Sequence, residues 1–340
     1  MFHKSIFQGK IEFDNPRSYS KALKMFRHRV ENYHKSIEII FEEEQLFSEE
    51  QNTIEIPRTV INVTEKAWKT TVSLLSYTAQ FGISGNIGAW MIEEGNLMHF
   101  AWIEPKSDKA VVKNYLKGKE LSKVEGKEDE AIELLSKAIE LYDKHSQAYE
   151  RRGFLNYILE KFHDAERDFS KAIQWDDGNA AAYLGRARLK MRRKDYDEAL
   201  KDLKMAIAKS LALQDIHWHA RRLKADCMIH LKDFKGAEFE LRFFNKKDFE
   251  KSSRNSRHEK ASLYKYALVM KELKDQETAL KYLKEALKIE DKGQKYVTDA
   301  DIYLEMSLAK KELGKNGHLA DLKRAAKMGN KRAVGILENR

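Results

Sequence analysis

Residues 194–207 read KDYDEALKDLKMAI. Thirty-four positions earlier, residues 160–173 read EKFHDAERDFSKAI, and residues 125–139, EGKEDEAIELLSKAI, end 34 positions earlier again. Small residues hold the register: Ala131, Ala165 and Ala199 recur at intervals of 34, as do Ala138, Ala172 and Ala206, and so do Tyr115, Tyr149 and Tyr183. One helix is written three times at one interval. A short helix pair cannot bury its apolar face alone, so this recurrence predicts helix pairs stacked on their neighbours.

Working outward, the 340 residues allow about two domains. The single cysteine, Cys227, excludes an intramolecular disulfide and suits a reducing compartment. MFHKSIFQGK at the start has no apolar core, so no secretory signal is expected. No apolar run approaches the ~20 residues of a membrane span, and the expected location is cytoplasmic. The net charge of +9 is uneven: residues 1–108 hold 12 Lys+Arg against 15 Asp+Glu, leaving 51 against 39 for the remainder. Pro16, Pro57 and Pro105 all lie in the first third. Both shifts predict a boundary in EPKSDKA (104–110), with a small α+β domain over 1–108 and a helical domain over 109–340.

In the first domain, strands are expected at Lys4–Phe13, Ile37–Phe47, Thr53–Val63, Ile83–Ile92 and Leu97–Glu104. Helices are expected from Asp14–Ser18 to Tyr33 and over Thr64–Phe81. Pro57 argues for an edge strand or a bulge, and EEGN (93–96) for a hairpin turn. The β-α-β-β-α-β-β order is similar to a ferredoxin-like βαββαβ sandwich plus a strand, an analogy of fold that assigns no function. GISGNIG (82–88) lacks the spacing and the helix that a phosphate loop needs, so its glycines are expected at a bulge or a close strand approach. Trp90, His99 and Trp102 are candidates for a binding face or for core packing.

The 34-residue period, with its small residues and aromatics, resembles the tetratricopeptide repeat. Units are expected at 112–145, 146–179 and 180–213, the second being the closest match through Tyr149, Gly153, Phe162, Ala165, Phe169 and Ala172. In the first, Lys119 stands at the eighth position, where the family prefers glycine. A fourth unit (218–251) follows four added residues, assigned to SLALQDI (210–216). A fifth (260–293) follows eight more, assigned to KKDFEKSSRNSRHEK (246–260). Phe244 occupies a small-residue position of the fourth, whose second helix is expected to pack differently. A degenerate sixth spans 300–329, and the tail LKRAAKMGNKRAVGIL (322–337) resembles Sel1-like repeats and suits a terminal cap.

The resemblance implies an all-α solenoid whose concave groove, lined by the first helix of each unit, binds a protein or peptide. It places Gln147, Glu150, Phe154 and Tyr157 of the second unit in that groove, with Leu184, Arg188, Met191 and Arg192 of the third and His219 and Arg222 of the fourth. Aromatic and arginine residues favour a peptide of acidic character. At the positions where chaperone-tail binders of the family hold a carboxylate this chain has Leu116, Glu120, Arg151, Ala181 and Gly185, so that partner is not expected.

RARLKMRRK (186–194) and RRLK (221–224) read first as solvated helix faces. The alternative is a nucleic-acid- or ribosome-associated adaptor held through phosphate charge. A third reading gives residues 1–108 an undetected ligand or enzymatic site. His217, His219, Cys227 and His230 do not have the spacing of a zinc site, no catalytic triad or P-loop signature is visible, and no cofactor is expected. The sequence-level reading is a non-enzymatic scaffold.

Overall fold

The computed structural model describes residues 1–34, 38–290 and 297–339. The chain forms two compact units, Met1–Gly185 and Arg186–Arg340. The first contains the sheet domain together with the first two helix pairs.

The sheet domain runs β1 (Phe2–Glu12), α1 (Pro16–Tyr33), α2 (Glu43–Leu46), β2 (Phe47–Ser48), β3 (Thr53–Thr64), α3 (Glu65–Ala79), β4 (Ser84–Glu93) and β5 (Asn96–Ile103). Its five strands are antiparallel in the order β2-β3-β1-β4-β5. Asn15 caps α1 by accepting from Ser18 N, and Thr64 caps α3 by accepting from Ala67 N. Side chains alternate across the sheet. Phe7, Ile11, Ile54, Ile87 and Met91 therefore share one buried face with Phe26 of α1 and Leu74 and Leu75 of α3.

The strand expected over Ile37–Phe47 is largely absent. Ile37 itself lies outside the described residues, residues 43–46 are helical, and only Phe47–Ser48 pair with β3. The reason is local. Gln45 Oε1 accepts from Glu42 N at 3.0 Å, closing a capping box, and Arg27 of α1 grips Glu43 with two bonds of 2.5 and 2.6 Å. Pro57 lies on the uncovered edge of β3, where the β1 pairing shifts register. Glu94 and Gly95, with φ of 50° and 85°, make the expected hairpin turn. Of the glycine cluster, Gly85 (φ 92°) lets β4 approach β1: a Cβ there would lie 2.2 Å from Lys10 O. A Cβ on Gly88 would meet the Trp90 ring at 2.1 Å.

Six helix pairs follow among the described residues: α4 (Ala110–Leu121) with α5 (Glu128–Leu141), α6 (Ser146–Ile158) with α7 (Phe162–Trp175), α8 (Ala180–Arg192) with α9 (Tyr196–Lys209), α10 (Asp215–His230) with α11 (Phe234–Lys246), α12 (Glu259–Glu272) with α13 (Gln276–Leu287), and α14 (Asp299–Glu312) with α15 (His318–Lys327). α16 (Lys331–Glu338) ends the chain. The last residues of the expected fifth unit, 291–293, lie outside the described residues. One residue in the left-handed region closes each pair: Gly126, Glu160, Lys194, Lys232, Lys274 and Gly314. Their intervals of 34, 34, 38, 42 and 40 residues give the register independently of the alanines. The step of 42 falls where an insertion was expected, in residues 247–258, which include a 3-10 turn at Arg254–His258, whereas the step of 38 is taken up mainly by α10, with 16 residues against 13 in α6 and α8, and the step of 40 was not expected.

Ala131, Ala138, Ala165, Ala172, Ala199 and Ala206 are all fully buried. Gly118, not Lys119, fills the small position of the first pair, since a Cβ there would lie 2.9 Å from Leu135 Cγ. Lys119 points away to Glu104 at 2.6 Å. Phe244 packs against Phe249 at 4.8 Å, using the insertion that follows α11.

A second periodicity is polar. Arg152 binds Asp168 with bonds of 2.9 and 2.8 Å, and Arg186 binds Asp202 in the same way 34 residues on. In the next pair Lys224 and Arg221 hold Glu240 at 2.5 Å each. The three carboxylates are at most 3% exposed. Each clasp ties the two helices of one pair. In α12/α13 a Tyr266–Tyr282 ring contact of 4.5 Å stands in its place. Removing one partner strands the other charge. Asp202→Ala, which abandons Arg186 and Lys190, is expected to cost about 2 kcal/mol, below the ~3–5 of a fully buried pair because both cations reach some solvent. A urea midpoint equal to wild type would contradict this.

Candidate functional site

In the first unit the expected groove residues do not share one environment. Gln147 Oε1 accepts from Gly85 N of β4 at 3.2 Å. Nearby, Lys10 Nζ of β1 donates to Trp175 O at 3.0 Å, and Tyr142 Oη donates to Glu12 Oε2 at 3.4 Å. Glu150 lies beside Arg151 at 3.4 Å, and burial raises its pKa against that attraction. Gln147 is therefore engaged by the chain's own sheet domain. Phe154 is half-buried, Tyr157 packs on Phe162 at 6.0 Å, and Leu184 is buried.

In the second unit the expected residues converge. His219 of α10 has its pKa pushed down to about 3, first by burial and then by Arg222, Arg188 and His258. His258, just before α12, is lowered to about 4 by burial, then by Arg222 and Lys265, with Asp226 opposing. Arg188 of α8, Arg222 of α10 and Lys265 of α12 thus gather with two neutral imidazoles, His219 and His258, beside the carboxylate of Asp226. That carboxylate pairs with Lys265 at 2.5 Å. Met191 is half-buried and Arg192 exposed on the last turn of α8.

His258 was missed in sequence because it lies in the insertion at 247–258, outside the repeats, and Lys265 because its place in the fifth unit is not one that the resemblance assigns to the groove. The other polar residues of α10 scatter. His217 accepts from Arg221 Nε at 3.0 Å, His230 stacks on Tyr196 at 4.4 Å, and burial pushes the Cys227 thiol up to about 12. Of the candidate aromatics in the sheet domain, His99 stacks on Trp68 beneath α3 and contacts Glu65 at 2.9 Å. Trp90 and Trp102 share the opposite face with Phe100.

A tetratricopeptide repeat model matches residues 158–211, where two of the three 34-residue copies stand. The helix pairs have the tetratricopeptide fold. The crystal structure of YrrB, titled a TPR protein with an unusual peptide-binding site, is similar with a TM-score of 0.50 at 14% identity, covering 60% of this chain and 97% of that one. A structure of pilF from Pseudomonas aeruginosa is similar with a TM-score of 0.52 at 16% identity, covering 68% of this chain and 99% of that one. Neutrophil cytosol factor 2 of Mus musculus is 43% identical over 68 residues, 20% of this chain and only 13% of that relative's length. No helix among the described residues is long and apolar enough to cross a membrane.

Proposed function

We propose that this protein is a non-enzymatic adaptor and that the basic surface of α8, α10 and α12 binds an extended or helical peptide of acidic character. The observation that carries this is the convergence of Arg188, Arg222 and Lys265 with the neutral imidazoles of His219 and His258 beside the carboxylate of Asp226. Arginine gives a carboxylate two donors in a planar fork, and Met191, half-buried three residues after Arg188 on α8, offers an apolar side chain on the same helix face. The peptide-binding title of the YrrB structure supports the reading by analogy of fold. In this reading the sheet domain is a ferredoxin-like variant, the α15–α16 end is a Sel1-like cap, and the chain works in the cytoplasm.

The test is fluorescence anisotropy with a labelled peptide rich in glutamate and leucine and a second in which lysine replaces each glutamate. Arg188→Glu with Arg222→Glu is expected to weaken binding of the acidic peptide at least ~10-fold, about 1.4 kcal/mol, while the thermal midpoint holds. Equal binding of both peptides, or an unmoved Kd, refutes the site. The nucleic-acid alternative predicts that a single-stranded oligonucleotide displaces the peptide and that its log affinity falls linearly with log salt.

A further inference from the structure

The two outer edges of the sheet are built differently. β2 covers only Thr53 and Ile54 of β3. The rest of that edge carries Glu55, Pro57 and Arg58, charges and a proline that discourage another strand from adding. The opposite edge is β5, and among the described residues no strand pairs with its outer side. Between Asn96 and Ile103 there is no proline and no Lys, Arg, Asp or Glu. Its histidine, His99, turns to Glu65 and Trp68 on the helical side of the sheet. On the other side Phe100 and Trp102 are 44% and 48% exposed and touch each other and Trp90 with centroids 5.4–5.7 Å apart. The pairing shift between Met91 and Ile92 puts a bulge at Met98 and leaves His99–Ile103 regular.

We propose that β5 pairs antiparallel with β5 of a second copy of this chain, across a two-fold axis near Ala101. With Ala101 opposite its counterpart, Phe100 of each copy lies opposite Trp102 of the other, an aromatic cross-strand pair of the kind that stabilises sheets. Because the strand carries no fixed charge, self-pairing sets no like charges against each other. Beyond the strand, the same register sets Lys106 of one copy opposite Asn96 of the other and Asp108 opposite Glu94, so the ends add no net attraction. The two exposed rings offer about 200 Å² per copy, against the ~800 Å² per partner of a standard interface. The dimer is therefore weak, forming in the micromolar range, and it is separate from the peptide surface, so the Arg188 and Arg222 variants dimerise like wild type.

Sedimentation velocity on the full chain from about 1 to about 200 µM reads this directly. The wild type is expected to sediment faster as concentration rises. Phe100→Lys with Trp102→Lys raises the dimer Kd at least ~10-fold. Because that variant alters the sheet face, far-UV circular dichroism checks its fold. A second arm leaves the chain unaltered: backbone amide exchange across Leu97–Ile103 is expected to slow as the concentration rises over the same range. A wild type that stays monomeric throughout, a dimer indifferent to the lysine substitutions, or β5 amides that exchange at one rate at every concentration overturns the proposal.

Discussion

Ala165→Arg is expected to lower the stability of the helix-pair region by about 4 kcal/mol. Ala165 is fully buried at the start of α7. Across from it, α6 comes so close that a Cβ on Gly153 would already lie 3.1 Å from Asp168 Cβ and from the Phe169 ring. A long side chain forces these helices apart, which costs ~1–3 kcal/mol by overpacking. Its guanidinium also lacks a buried acceptor, because Asp168 is already taken by Arg152 and Asn156. Chemical denaturation followed by circular dichroism measures the loss. An unmoved midpoint would mean that the alanine does not sit in the packed seam.

Acidification is expected to unfold the protein well before its carboxylates are all neutral, with His145 among the largest contributors. His145 is fully buried, lies 4.5 Å from the Tyr115 ring, and has its pKa pushed down to about 3, first by burial. In the unfolded chain it titrates near 6.5. Below that pH the unfolded state takes up a proton that the folded state refuses. The contribution is therefore present in full above pH ~6.5 and is lost as pH falls toward 3. At pH 4 the loss is roughly 3 kcal/mol. His217, lowered to about 4 by burial and then by Arg221, acts in the same direction. Urea midpoints between pH 7 and pH 4 should fall steeply in the wild type and less steeply in His145→Gln. Parallel slopes would show that His145 takes up its proton in the folded state.

What the sequence disclosed follows from which interactions repeat. Backbone approach between helices demands a small residue at a constant interval, so Ala165 and Ala199 announce themselves. The Arg152–Asp168 and Arg186–Asp202 clasps recur just as regularly, yet charges on helices are common enough that their interval draws no notice until the pairs are seen closed. Gly118 and Lys119 are adjacent, and only packing decides which of them faces Leu135. The 37–47 segment misled because its Ile-Ile-Phe run looks like a strand, while the capping box of Glu42 and Gln45 and the grip of Arg27 make it turn. At the candidate site Arg188 and Arg222 were legible from the repeat. His258 was not, because it lies in an insertion outside the repeat, and neither was Lys265, whose place in the fifth unit is not one the repeat assigns to the groove.

The bond from Gly85 to Gln147 and that from Lys10 to Trp175 carry one more implication. The change in charge and proline content near residue 105 marks where the chain alters its manner of folding, not where the molecule can be divided. A fragment beginning at residue 109 would leave the Trp175 carbonyl and the Gln147 amide to water. Whoever prepares the helical region by itself would be studying a newly made surface that the whole chain never shows.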